Sequence, residues 1–480
     1  MHRLLRFLSP ACVLALPLLG CSGDGQADVP KADVEADSGS NGAPDASHET
    51  GSDAPHETDS DAADEAGFRA NPVLADYAAA LRESEPRADG LLHVDASALV
   101  DRLVELNANT YAFLIFGETD WDDLGEYLPL AEEAGLATWV YLVPPSELPA
   151  NYPPHQDDYV AWGDAIGRIA ADHPSVTAWA MDDWFKNLAT FTPEYTCQMV
   201  AASRSHAPDL RFYAVDYYPW VLSDLASPDY VGCIDGVIFP YTNLDANDDL
   251  PRQIDQIATM REPSNWIQFA FPAQTTSEPG EYARYAATCK VTDGVKVRFE
   301  YLDDRGYGGP MGSHLARFLV DGEVQWSRDT GSVVQPTPIE LDLSSLSPGT
   351  QADLAFEMYE SGGVADSYHV MMSFRNIRVD GCEIGFDEWK YEESAPAFAG
   401  RTLEMPGYED MDLTVMIYAA PTSWHKAPPS AATIREGLEL GLDAWEANQA
   451  HGVISYCLDK SPGSADFSAV QSLYGGFEAE

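Results

Sequence analysis

The chain predicts an α/β fold: a (β/α)8 barrel with an inserted all-β sandwich, preceded by a disordered acidic tether. Three observations predict it. From about residue 90, apolar runs of strand length alternate with amphipathic helical stretches. From about 264 to 408 short strands follow one another without helices, after which the alternation resumes. Before residue 69 the apolar content collapses. Alternating strands and helices build parallel sheets, and eight such units close into a barrel.

The first element is an export signal over residues 1–20. Arg3 and Arg6 precede an apolar run from Ala11 to Leu19, and Gly20 stands before Cys21. A basic start, a short apolar stretch and a small residue form a secretory signal. The run is too short to cross a bilayer as a helix. The cysteine directly after the small residue resembles a bacterial lipoprotein signal, which implies cleavage before Cys21 and its acylation. Ser22 in the next position implies the outer membrane or cell surface, with membrane contact through the lipid anchor only. Residues 21–68 are the tether, with thirteen acidic residues and one Lys between Ser22 and Gly67. Such a segment buries too little apolar surface to offset its ordering entropy. As a flexible chain it spans about 40 Å.

The body follows. Most of the net charge of −51 lies on it, 78 acidic residues standing against 27 basic ones over the whole chain. This charge excludes nucleic acid and anionic lipid as electrostatic partners. It leaves neutral or cationic ligands, and a monomer is expected. Aromatic residues make up 11% of the chain, which suits sugar binding. Five cysteines follow Cys21: Cys197, Cys233, Cys289, Cys382 and Cys457. In an oxidising compartment some should pair. Cys289 with Cys382 is the expected disulfide, because the two bracket one strand-rich region. There is no CxxC and no Cys/His cluster, so neither a zinc site nor a cofactor is expected.

Residues 69–263 and 409–480 carry the barrel. Its expected strands are Leu91–Asp95, Thr110–Phe116, Ala137–Val143, Val176–Met181, Arg211–Val215, Ile234–Pro240, Leu413–Ala419 and Gly452–Cys457. Continuous apolar runs suit parallel strands buried on both faces. Expected helices are Ala96–Asn107, Asp122–Ala134, Asp157–Ala171, Pro193–His206, a short one near Trp220–Ala226, and Ala431–Ala450. Residues 264–408 form the insertion. Val295–Tyr301 alternates apolar with polar, and Asp321-Gly322 marks a hairpin between Leu315–Val320 and Glu323–Trp326. Trp266–Phe271 competes with Leu91–Asp95 for a barrel place and is assigned to the sandwich. Phe374-Arg375-Asn376-Ile377-Arg378-Val379 resembles the last strand of jelly-roll carbohydrate-binding modules.

In such barrels the working residues follow the C-terminal ends of the strands. The fourth expected strand ends in Asp182-Asp183-Trp184, with Asn187 close behind. The fifth ends in Asp216-Tyr217, the sixth reaches Tyr241, and the last two reach Tyr418 and Tyr456. Carboxylates for proton transfer and rings for stacking converge on one rim, the composition of a sugar site. Asp182, Asp183 and Asp216 are the candidate catalytic residues. Trp184, Asn187, Tyr217, Tyr241, Tyr418 and Tyr456 are the candidate substrate-binding residues. Like-charge proximity at Asp182/Asp183 keeps a proton available near neutrality. Adjacent strand residues point to opposite faces, so both enter one site only if the backbone turns there.

The stretch Leu106-Asn107-Ala108-Asn109-Thr110-Tyr111, the end Val143-Pro144-Pro145-Ser146, and Met181-Asp182-Asp183-Trp184 together resemble a glycoside hydrolase barrel. The pattern is most similar to retaining β-N-acetylglucosaminidases of family 84. That resemblance implies that Asp182 orients an acetamido group serving as nucleophile and that Asp183 is the general acid/base. Leu92-His93-Val94-Asp95 replaces that family's Gly-Phe-Tyr-Gly. The expected function is therefore glycoside hydrolysis on a poly- or oligosaccharide by carboxylate acid/base catalysis. The rival is a non-catalytic lipoprotein that captures glycan.

Overall fold

A computed structural model describes residues 71–477, apart from 150–151, 219, 272–275, 306–311, 331–335, 363, 366–369, 397 and 423–424. The signal, the tether and Cys21 lie outside the described residues.

The barrel opens with β1 (Val73–Tyr77), α1 (Ala96–Glu105), β2 (Thr110–Ile115), α2 (Asp120–Glu133), β3 (Ala137–Leu142) and α3 (Tyr159–Asp172). It continues with β4 (Val176–Met181), α4 (Pro193–Arg204), β5 (Arg211–Val215), α5 (Val221–Asp224), β6 (Gly236–Tyr241) and α6 (Leu250–Ala258). Ends are set locally. Asp158, Thr192, Ser430 and Ser464 each accept a backbone N–H in the first turn of the helix that follows, which satisfies an otherwise orphan donor.

The insertion then runs through β7 (Ser264–Phe271), β8 (Tyr282–Arg305), β9 (His314–Val320), β10 (Glu323–Asp329), β11 (Thr337–Leu343), β12 (Gln351–Glu360), β13 (Val370–Glu383), β14 (Lys390–Glu393) and β15 (Ala399–Met405). β8 is long enough to serve two layers. Its first half pairs with β12 and β14, its second with β11 and β13. The layers enclose an apolar core that includes Phe299, Phe318, Phe356 and Phe374. Cys289 is bonded to Cys382 across this domain, as expected. Trp266–Phe271 belongs to the sandwich, as β7 paired with β13 and β15.

The barrel closes with β16 (Asp412–Tyr418), α7 (Ala431–Glu446), β17 (Gly452–Tyr456) and α8 (Ala465–Tyr474). Eight parallel strands complete the circuit, β17 lying between β16 and β1. Side chains of one parity, such as Ala75, Trp139, Ala180 and Met416, fill the interior. The other parity, such as Leu74, Val140, Met181 and Leu413, packs beneath the helices. The strand period of two produces both layers.

One strand assignment is corrected. The first barrel strand is Val73–Tyr77, not Leu91–Asp95. The latter lies in the connection to α1, where Val94 makes an isolated bridge to Arg82 and Asp95 caps the helix. Val73–Tyr77 is short and interrupted by a carboxylate, Asp76, so its apolar signal is weak. That carboxylate is buried against the Lys460 ammonium at 2.5 Å and accepts from Ser455 Oγ at 2.9 Å. Its partner comes from the far end of the chain. Helices α6 and α8 are also absent from the sequence expectations.

The motif compared with carbohydrate-binding modules docks the two domains. Arg375 is almost wholly buried and pairs with Glu300 of the sandwich. It also donates to Gln256 Oε1 on α6 at 3.1 Å and to Thr259 Oγ1 at 3.4 Å. Asn376 turns through φ +55°, and the Asn265 side chain bonds both the N–H and the C=O of Ile377.

Candidate active site

The C-terminal mouth of the barrel gathers three carboxyl groups. Asp182 extends the inward face of β4 beyond Ala178 and Ala180. Asp183 would face outward, but its backbone turns into the left-handed region, φ +39° and ψ +50°. A non-glycine residue held there costs about 1–3 kcal/mol, and such strain clusters at functional sites. The turn aims the Asp183 N–H at Asp182 Oδ1, 2.8 Å away. It also keeps both side chains on one site, the condition the sequence imposed on the pair.

The third group is Glu147, from the single turn Pro145–Glu147 after β3. Its carboxyl is hydrogen-bonded to Asp183. Lys186 Nζ lies 2.8 Å from Asp183 Oδ2. Asn187 ties the β3 and β4 loops together, donating to Ser146 Oγ at 3.0 Å and to the Asp183 C=O at 2.9 Å. Burial, then the charges of Asp182 and Asp183, push Glu147 up to about 9. Burial and then Asp183 push Asp182 up to about 7, against a hydrogen bond from Tyr141.

Tyrosines wall the mouth. Tyr77 ends β1 and Tyr141 lies near the end of β3, with ring centroids 4.4 Å apart. Tyr456 stacks on Tyr77 at 5.0 Å, and Tyr418 lies 4.4 Å from Tyr456. Tyr217 is hydrogen-bonded to Tyr418. Phe185 meets Tyr217 edge-on at 5.3 Å and stacks on Trp220 at 5.1 Å. Burial first, then neighbouring acids and phenols, drive the Tyr77, Tyr141, Tyr217 and Tyr418 hydroxyls well above their ordinary range. They stay protonated and can donate hydrogen bonds.

Of the residues named from sequence, Asp182, Asp183, Tyr217, Tyr418 and Tyr456 come together here. Asn187 serves as the loop tie. Asp216 is fully buried on the opposite parity of β5, its Oδ1 accepting the Tyr217 N–H at 2.8 Å. Burial, then Asp224, raises its pKa well above the carboxylate range. Trp184 and Tyr241 are not brought to the mouth. Trp184 is wholly buried in the helix layer, stacked on Phe191 at 4.8 Å. Tyr241 has the outward parity of β6, and its hydroxyl donates to the Ala246 C=O at 3.0 Å.

Sequence reasoning missed Glu147, Tyr77 and Tyr141. Tyr141 had a signal: it lies on the inward parity, one residue before the end of β3. Glu147 follows the quoted run Val143–Ser146 by one residue. Among the described residues no group of three or more His, Cys, Asp or Glu side chains has metal-binding geometry.

No protein-family model matches the chain, and no curated protein matches it. Solved structures align with part of it. A cycloisomaltooligosaccharide glucanotransferase from Paenibacillus sp. is 10% identical, with a TM-score of 0.25, over 63% of this chain and 57% of that one. Endo-glycoceramidase II from Rhodococcus sp. is 12% identical, with a TM-score of 0.28, over 39% of this chain and 62% of that one. A family 1 β-glucosidase from Thermotoga maritima is 14% identical, with a TM-score of 0.22, over 30% of this chain and 52% of that one. The chain thus spans between half and two thirds of these proteins. What the site does is argued from its own residues.

Proposed function

We propose that this protein is an exported, lipid-anchored glycoside hydrolase that cleaves a poly- or oligosaccharide by carboxylate chemistry. The observation that carries the reading is the meeting of Glu147, Asp182 and Asp183 with a tyrosine wall at the barrel mouth. Glycoside hydrolysis needs a proton for the leaving oxygen and either a second carboxylate or a substrate group at the anomeric carbon. Raised carboxyl pKa values near neutrality suit the first requirement. Protonated tyrosines suit sugar hydroxyls, and their ring faces suit the apolar faces of pyranose rings. Asp216, buried beneath Tyr217, positions the β5 loop rather than touching substrate. Export rests on the signal before Cys21, and the disulfides Cys197–Cys233 and Cys289–Cys382 suit an oxidising compartment.

The test is a turnover screen of the full chain on aryl glycosides and on bacterial and algal polysaccharides. Product is expected from the wild type, falling by roughly 10²–10⁴-fold in Asp182→Asn and Asp183→Asn. Silence across the screen, with thermal stabilisation by sugar, would replace the hydrolase with the glycan-capture protein.

A further inference from the structure

We infer that Glu147, rather than either member of the aspartate pair, is the proton donor of this site, and that Asp183 is its ionised positioning partner. This assignment rests on the hydrolase reading for its catalytic meaning. It rests on geometry for the location of the proton.

Two carboxyl groups in hydrogen-bond contact need a proton between them, because two carboxylates offer only acceptors. Glu147 and Asp183 are in such contact. Lys186 then breaks the symmetry. Its ammonium lies 2.8 Å from Asp183 Oδ2 and so places the negative charge of the pair on Asp183. The proton therefore belongs to Glu147. Every element around Glu147 agrees. Asp182 and Asp183 face it from the β4 loop, and the phenols of Tyr77 and Tyr456 face it from β1 and β17. Lys186 is the cation among them, and it is engaged by Asp183. Direct contact also separates the roles. The two carboxyl groups that flank a scissile bond stand roughly 5–9.5 Å apart, so Glu147 and Asp183 act together on one side.

In the reaction the Glu147 O–H bond breaks and its proton passes to the glycosidic oxygen. That oxygen keeps the electron pair of the breaking bond to the anomeric carbon. A carboxylate oxygen of Asp182 supplies the pair that closes the anomeric carbon. Water then displaces Asp182, and its proton returns to Glu147, which restores both groups.

The test uses Glu147→Gln in the full chain beside Asp183→Asn. On glycans with poor leaving groups Glu147→Gln is expected to lose roughly 10²–10⁴-fold. On a dinitrophenyl glycoside, whose leaving group needs no proton, it should keep most of the glycosylation rate. The basic limb of the wild-type pH–rate profile should disappear with it. Retention of glycan turnover in Glu147→Gln beside its loss in Asp183→Asn would overturn the assignment. Infrared difference spectra at pH 7 locate the proton without substrate. One protonated-carboxyl stretch should disappear in Glu147→Gln while that of the buried Asp216 remains, and an unchanged set of bands would also overturn the assignment. If the wild type cleaves nothing while that band disappears as expected, the hydrolase reading falls and the proton assignment stands.

Discussion

Glu147 ties local chemistry to global stability through one proton. Its ordinary pKa of 4.5 rises to about 9 in the folded chain. Below about pH 4.5 both states hold the proton, and this group adds no pH dependence. Between about 4.5 and 9 the unfolded chain binds fewer protons than the folded one, so stability falls as pH rises through that window. Above it the loss is complete. Asp182, raised to about 7, acts with the same sign over a lower window. Glu147→Gln has no proton to lose. Its melting temperature should gain on the wild type between pH 5 and pH 9, and an equal difference at both pH values would contradict the shift. Asp182 and Asp183 stood out in the sequence because two charges after an apolar strand are costly unless they have a role. Glu147 did not, because it follows two prolines in a loop and its partners lie on another strand.

Packing between elements depends on glycines that amphipathic patterns do not reveal. Helices α3 and α4, which flank β4, touch through backbone at Gly163 and Gly167. A Cβ at Gly167 would lie 2.2 Å from the Ser203 C=O, and one at Gly163 would lie 2.2 Å from the Met199 C=O. Both obstacles are backbone, so relief requires moving a helix. Gly167→Ala should destabilise by about 1–3 kcal/mol. Gly125, inside α2, has open space where its Cβ would go. Gly125→Ala should stabilise by up to about 1 kcal/mol, since alanine has the better helix propensity. Urea titration of the two variants checks both signs. The helices themselves were legible from their apolar period. Which faces meet at backbone distance was not, because the glycine and the carbonyl that it meets are more than thirty residues apart.

At the scale of the whole molecule, disulfides and the buried Arg375 hold separate regions together. Cys197–Cys233 joins α4 to the segment before β6 across 36 residues, and Cys289–Cys382 staples the sandwich across 93. Loops of these lengths make a disulfide worth about 2–5 kcal/mol. The double variant Cys289→Ala/Cys382→Ala should melt earlier than the wild type by a matching amount, followed by calorimetry. An unchanged transition would mean that the sandwich core alone sets its stability. Arg375 couples that sandwich to α6, so the insertion supports the barrel through a motif whose local sequence resembled a glycan-binding strand.

The sequence by itself determined the barrel, the insertion, the Cys289–Cys382 pair and the rim on which the aspartates and several tyrosines lie. These are properties of period and of order along the chain. A strand ends where its apolar run ends, and the parity of a residue follows from counting. Tertiary structure decided the first strand, because Asp76 is tolerated in Val73–Tyr77 only through Lys460, nearly four hundred residues away. It also decided the left-handed turn at Asp183 and the contact of Glu147 with it. It turned Trp184 and Tyr241 away from the mouth, into the helix layer. The physical reason is the same in each case. The energy of a buried charge, a strained backbone or an aromatic face depends on which distant side chain meets it, and closing the barrel makes that choice.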